Sequence, residues 1–249
     1  MASMINRTFQ NVSAFPKSAI WSRTAVQPLS QPMVCRFLAT TTQEQPRLRL
    51  GSTAPNFKAF TTHGEIDFHK FIDNSWTILF SHPEDFTPVC TPELGVFAKL
   101  KGEFDKRGVK MIGLWVDDIN EVSNTNLQFP IIADADRKVA FLYNMIDQQD
   151  LDNIAEKGIA FTIRSVFVID PSKKIRLTMM YPASTGRNSA EVLRVIDSLQ
   201  TGDKKGVVTP IDWQVGEDVI VPPSVSTEDA RKKFGEVREI KPYLRFTKA

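Results

Sequence analysis

Cys90 stands in the run "SHPEDFTPVCTPELG", Ser81 to Gly95, directly after an apolar stretch and at the head of a segment with helical spacing. If Thr87 caps that helix and Pro88 takes its first position, the sulfur falls in the first turn. There, unpaired N–H groups and the positive end of the helix dipole favour a thiolate. A thiol in such a setting drops one or more pKa units below about 8.5 and becomes a nucleophile at neutral pH. Position alone leaves a competing reading open, a small buried cysteine that merely fills a core. The other cysteine, Cys35, lies in an N-terminal segment that reads as a removable leader, so Cys90 would be left with no disulfide partner. The three histidines, His63, His69 and His82, show no C-x-x-C or H-x-x-x-H spacing with it, and no metal site is expected.

The elements around Cys90 follow from hydrophobic periodicity. "WTILFSHP", Trp76 to Pro83, is a short apolar run bounded by polar and proline residues, as in a strand buried on both faces. "TPELGVFAKLKGEFDKRG" then changes period, with Leu94, Phe97, Ala98, Leu100 and Phe104 on one helical face and Lys106, Arg107 and Gly108 as its stop. Two more buried strands are expected over Val109 to Asp118 and Phe129 to Asp134, the second feeding an amphipathic helix in "DRKVAFLYNMI". "RSVFVIDPSKKIRLTMMYP" reads as a hairpin across a proline-containing turn. "NSAEVLRVIDSLQTGDKKG" opens with Asn188 three residues before Glu191, a variant capping box, and places Val192, Leu193, Val195, Ile196 and Leu199 on one face. Strands alternating with helices around one hairpin predict an α/β domain, a mixed sheet with helices on both faces. Its body starts near Leu48 and ends near Gly206, and the proline-rich remainder, 207–249, reads as a small C-terminal extension.

Composition excludes several classes. Of 249 residues, 42% are hydrophobic and 24% charged, ordinary globular usage with no apolar run long enough to span a bilayer. The net charge of +2 comes from the start of the chain: residues 1–38 hold Arg7, Lys17, Arg23 and Arg36, and the first acid is Glu44. Subtracting these four from the 31 bases leaves 27 against 29 acids, a charge of −2 that gives no footing for nucleic acid or an anionic membrane. The first 38 residues, basic, rich in Ser and Thr and free of acids, have the composition of a mitochondrial transit peptide, and "RFLAT" suits a processing site near Leu38/Ala39.

"FSHPEDFTPVCTPELG" closely resembles the peroxidatic motif of the peroxiredoxins. "RSVFVIDPSKKIRL", "YPASTGRN", "EVLRVIDSLQ", "VVTPIDW" and "KPYLRFT" extend the resemblance to the 1-Cys class from Arg47 to Ala249. It implies a thioredoxin-like fold with a C-terminal 1-Cys extension, and a thiol-dependent peroxidase without a cofactor. Cys90 would attack the terminal oxygen of hydrogen peroxide or an organic hydroperoxide and become a sulfenic acid. Thr87 matches the residue whose hydroxyl bonds the peroxide, and Arg164 the arginine beside the sulfur. Pro83 would shield the sulfur, Glu93 orient the arginines, Arg187 supply a second arginine and His82 tune the pocket. With no second cysteine, an external thiol must reduce the sulfenic acid: glutathione, with glutaredoxin or thioredoxin as relays. The resemblance further implies a homodimer in the mitochondrial matrix.

Three departures from the class stand out. Relatives carry an extra helical stretch, about ten residues with a His and a Trp, where Asp118 here runs straight into Ile119; its loss would uncover apolar surface. Pro92 replaces a non-proline residue and is expected to loosen the helix behind Cys90. Glu84 stands where some animal members have a base, and a carboxylate there works mildly against a thiolate. Some animal relatives also act as a phospholipase A2 through a His, a Ser and an Asp; His69 and Ser75 match the first two, but Ser172 fills the third place, which argues against lipase activity. The remaining rival is a non-enzymatic chaperone or redox-signalling binder that keeps the fold and has lost turnover.

Overall fold

The computed structural model describes residues 47–83, 90–115, 127–150 and 161–248, without the side chains of Cys90 and Thr91. Thr87, Glu84, the leader and the junction at Asp118 lie outside the described residues. A seven-stranded mixed sheet is built from β1 (Lys58–Thr61), β2 (Gly64–Asp67), β3 (Trp76–His82), β4 (Val109–Trp115), β5 (Ile131–Ala133), β6 (Arg164–Ile169) and β7 (Ile175–Tyr181), in the order β2-β1-β5-β4-β3-β6-β7. β3, β4 and β5 run parallel, whereas β6 is antiparallel to β3 and to β7. The carboxyl ends of the three parallel strands therefore share one edge of the sheet with the start of β6.

Alternation along β3 explains why its centre is apolar on both sides. Leu79 faces one core with Ile112, Leu114 and Phe167, covered by α1 (Phe68–Ile72) and α3 (Lys138–Leu142). Ile78 and Phe80 face a second core with Met111, Val166 and Val168, covered by α2 (Cys90–Lys106) and α4 (Ser189–Lys205). Both faces of the strand are thus dry, so the successive residues Ile78, Leu79 and Phe80 are all apolar rather than alternating with polar ones. This is the expected helix-sheet-helix layering, and the hairpin of β6 and β7 is present as read.

Local chemistry sets the boundaries. α2 stops at Lys106 because Gly108 takes a φ of 63° and its N–H bonds back to Asp105 O. α4 is capped as its sequence predicts, the Asn188 side chain accepting from Glu191 N at 3.2 Å. Pro92 does not break α2: it sits in the first turn, where its missing N–H has no intrahelical partner to lose. The helix expected over "DRKVAFLYNMI" is shorter than predicted, five residues long. The Asp134 carboxylate accepts from Val139 N and Ala140 N at its start, and Asn144 at φ 54° turns the chain out of it so that Met145 and Ile146 are buried. β5 is likewise shorter than Phe129 to Asp134, and β4 is described only to Trp115.

The hairpin β1–β2 and helix α1 were not legible, since four-residue strands carry too little alternation. The extension also holds more order than its proline content suggests. It contains β8 (Val219–Ile220), α5 (Thr227–Phe234), β9 (Val237–Lys241) and β10 (Leu244–Thr247), the strands ordered β8-β10-β9. Trp213 anchors it, buried with Val207 and Val219 and partly covered by Phe234. Among the described residues no helix is long and apolar enough to cross a membrane.

Candidate active site

β3 delivers Ser81, His82 and then Pro83 to the carboxyl edge of the sheet, all buried. β6, antiparallel to it, begins at the same edge with Arg164 and Ser165. A polar break in an apolar run needs a partner: the Ser81 hydroxyl lies 2.8 Å from the Ser165 hydroxyl, donates to Ile163 O and accepts from Ser165 N at 3.0 Å. Thr162, also buried, donates its hydroxyl to His82 O at 2.8 Å. These serine and threonine contacts were not anticipated, although a serine inside "ILFSHP" and another inside "RSVFVI" are the signal that would have found them.

Glu93 of α2 is the hub. Its Oε1 accepts from Arg187 N at 2.9 Å and Arg187 Nε at 2.8 Å; its Oε2 accepts from Arg187 Nη2 at 2.9 Å and Arg164 Nη1 at 2.8 Å. Arg187 also donates from Nη1 to Ser81 O and Ser165 O, both at 3.0 Å, which ties β3, β6 and α2 to the loop before α4. Arg164 donates from Nε to Ala183 O at 2.8 Å in that loop. The Arg187 side chain is wholly buried and Arg164 is 2% exposed. Although it opens a strand, Arg164 is not a solvated surface arginine.

Burial by itself would raise the Glu93 pKa, but hydrogen bonds and charge from Arg187 outweigh it and hold the carboxyl at about 2. Two guanidiniums share this one carboxylate, so the buried trio carries one surplus positive charge. His82 responds to it: burial first, then the charges of Arg187 and Arg164, lower its pKa to about 3 against the opposing pull of Glu93. His82 is therefore neutral at physiological pH, and its 3.6 Å approach to Glu93 is not an ion pair. Among the described residues neither ring nitrogen of His82 has a hydrogen-bond partner, and the ring lies 5.7 Å from that of Trp115.

Cys90 opens the helix that carries Glu93, three residues ahead of it. Residues at that spacing share a helix face. Two buried guanidiniums held on the first turn of α2 make a cationic setting, which favours an anion beside them. The structure thus brings together Arg164, Glu93, Arg187 and His82, with Pro83 at the end of β3. Among the described residues no group of three or more His, Cys, Asp or Glu is placed to hold a metal ion. His69 and Ser172 are engaged elsewhere, His69 Nε2 with Ala54 O at 2.7 Å and Ser172 Oγ with the Asp170 carboxylate at 2.7 Å, and no described hydrogen bond joins either to Ser75.

Comparison with known proteins shows the family. Residues 50–178 match the AhpC/TSA family, and residues 198–236 match the C-terminal domain of 1-Cys peroxiredoxin. The chain belongs to the 1-Cys peroxiredoxins. It is 54% identical over 246 residues to the mitochondrial peroxiredoxin PRX1 of Saccharomyces cerevisiae, covering 94% of this chain and 93% of that one. To Peroxiredoxin-6 of Homo sapiens it is 49% identical over 220 residues, 80% of this chain and 97% of the relative. Among solved structures, a yeast mitochondrial 1-Cys peroxiredoxin described for its thiol resolving mechanism via glutathione/thioredoxin systems superposes with a TM-score of 0.71 at 52% identity, over 82% of this chain and 100% of that one. Peroxiredoxin 6 of Arenicola marina gives a TM-score of 0.75 at 44% identity, over 81% and 98%. This peroxiredoxin is thus a thioredoxin-like α/β protein with a C-terminal extension, and an oxidoreductase of the thiol-dependent peroxidase class.

Proposed function

We propose that this peroxiredoxin reduces hydrogen peroxide and small organic hydroperoxides through Cys90, and that an external thiol completes its cycle. The Cys90 thiolate attacks the terminal oxygen of ROOH; the S–O bond forms as the O–O bond breaks, and the alkoxide leaves as ROH with a proton. Cys90 is left as a sulfenic acid, two electrons oxidised. A thiol R′SH then attacks the sulfur, releasing water and leaving a mixed disulfide that a second thiol reduces. Arg164 holds the developing negative charge, Glu93 and Arg187 keep Arg164 in place, Thr87 orients the peroxide, Pro83 closes the site behind the strand, and neutral His82 adds no competing cation.

The pairing of Arg164 and Arg187 with Glu93, three residues after Cys90 in α2, carries this reading. Glutathione, with glutaredoxin or thioredoxin, is the proposed reductant, supported by the glutathione/thioredoxin chemistry of the yeast relative. The mitochondrial matrix is the proposed location, residues 1–38 being its address, in keeping with a mitochondrial relative. A homodimer is proposed as well, and β7 supports it as an outer strand of the sheet with Met180 half exposed. The deciding experiment is peroxide consumption with glutathione and glutaredoxin. Wild type should turn over and Cys90→Ser should not, and turnover surviving in Cys90→Ser would sink the assignment.

A further inference from the structure

Arg187 spends its N–H groups on three elements, yet the edge of a guanidinium is not all that must be satisfied. Its flat faces carry no donors, and at a side chain with no solvent exposure they cannot be wetted. Two rings lie beside it: the guanidinium carbon is 5.5 Å from the Phe80 centroid and 5.3 Å from the Phe97 centroid. The rings are themselves stacked, 4.8 Å apart and 13° from parallel, and both are fully buried. Phe97 is one turn beyond Glu93 on the same helix, so α2 presents the carboxylate and the ring to one arginine.

We propose that Phe97, with Phe80, is a positioning residue for the thiol chemistry, an aromatic clamp that fixes Arg187 against Glu93 and through Glu93 fixes Arg164. This rests on the reading of Cys90 as the reacting sulfur. Because the two rings stack on each other, the cation can lie over the face of only one of them; where water is absent that face attracts it while the other ring adds packing, so the hold is electrostatic as well as steric. Without it, Arg187 moves off the carboxylate, Glu93 is less fully neutralised, and its negative charge raises the cost of a second anion at Cys90. Among the described residues, the charged and titratable groups that face this point are Glu93 on α2, Arg164 on β6, His82 on β3 and Arg187 in the loop before α4.

The test uses the full chain with three variants. Phe97→Leu keeps most of the apolar volume without a ring, Phe97→pentafluorophenylalanine keeps the ring's shape while reversing its quadrupole, and Arg164→Ala reports on the underlying reading. Alkylation of Cys90 by iodoacetamide, followed by peptide mass as a function of pH, gives the midpoint of thiolate formation. Both Phe97 variants should raise it by about half a pH unit, about threefold in thiolate below the midpoint, and slow the reaction with hydrogen peroxide to match. A shift with leucine but not with the fluorinated ring reduces the effect to packing and overturns the clamp. No shift with either, while Arg164→Ala does shift the midpoint, overturns the clamp alone. No shift even with Arg164→Ala overturns the reading of Arg164 and the clamp that depends on it.

Discussion

Glu93 accepts four hydrogen bonds from two buried arginines, and its removal should be felt well beyond the loss of one charge. Glu93→Gln removes the carboxylate that both buried guanidiniums share in a dry site, so unfolding in urea should show a loss of about 3 kcal/mol or more, with slower peroxide reduction. Acid should act in the same direction. The folded carboxyl titrates at about 2 against 4.5 for the free group, so its stabilisation is complete above pH 4.5 and is lost as pH falls toward 2. His82 adds a second slope at higher pH. The unfolded chain protonates it near 6.5 and the folded chain only near 3, so stability declines as pH falls between those values, about 2 kcal/mol from pH 6.5 to about pH 5. His82→Leu should flatten that part of the profile, and an unchanged slope would show that the imidazole is not held neutral. At this scale the sequence was only partly legible. Arg164, Glu93, Arg187 and His82 stand out by motif, whereas Phe80 and Phe97 look like plain core residues until Arg187 is seen against them.

Among the elements, β3 and α2 read directly from the sequence because each has a strong period and a clear stop. α4 was legible for the same reason, down to its cap. Asn188 both caps α4 and follows Arg187, so the cap helps fix the loop that presents the second arginine. Asn188→Ala should cost about 1 kcal/mol in denaturant unfolding, and also weaken the hold on Arg187. A cost near zero would mean that the cap bond adds nothing to the helix. α3 was overpredicted for a physical reason. Val139, Ala140 and Phe141 continue into Tyr143 with helical periodicity, but the left-handed turn at Asn144 and the burial of Tyr143 and Met145 are tertiary choices that local spacing does not encode. β1 and β2 were missed because their pairing through Thr61↔Gly64 is a tertiary fact laid over four-residue strands.

The proposed site lies where open α/β sheets place ligands, at the carboxyl ends of parallel strands, with the antiparallel β6 bringing Arg164 to the same edge. That arrangement followed from the alternation of elements, while the three-stranded sheet of the extension did not. Its strands are short and proline-broken, and Trp213 organises them from a loop. Trp213→Ala should destabilise the extension by about 3 to 5 kcal/mol in thermal unfolding, since it empties the centre of that small core. Little change in unfolding would show that the extension holds together without it. The central claim is that Cys90, served by the arginine trio, is the reacting atom. The most direct measurement is intact mass and peptide mapping of the folded full chain after one equivalent of hydrogen peroxide. One oxygen atom added at Cys90 within the mixing time, and none in Cys90→Ser, is the expected result. A folded protein whose Cys90 remains unoxidised would contradict it.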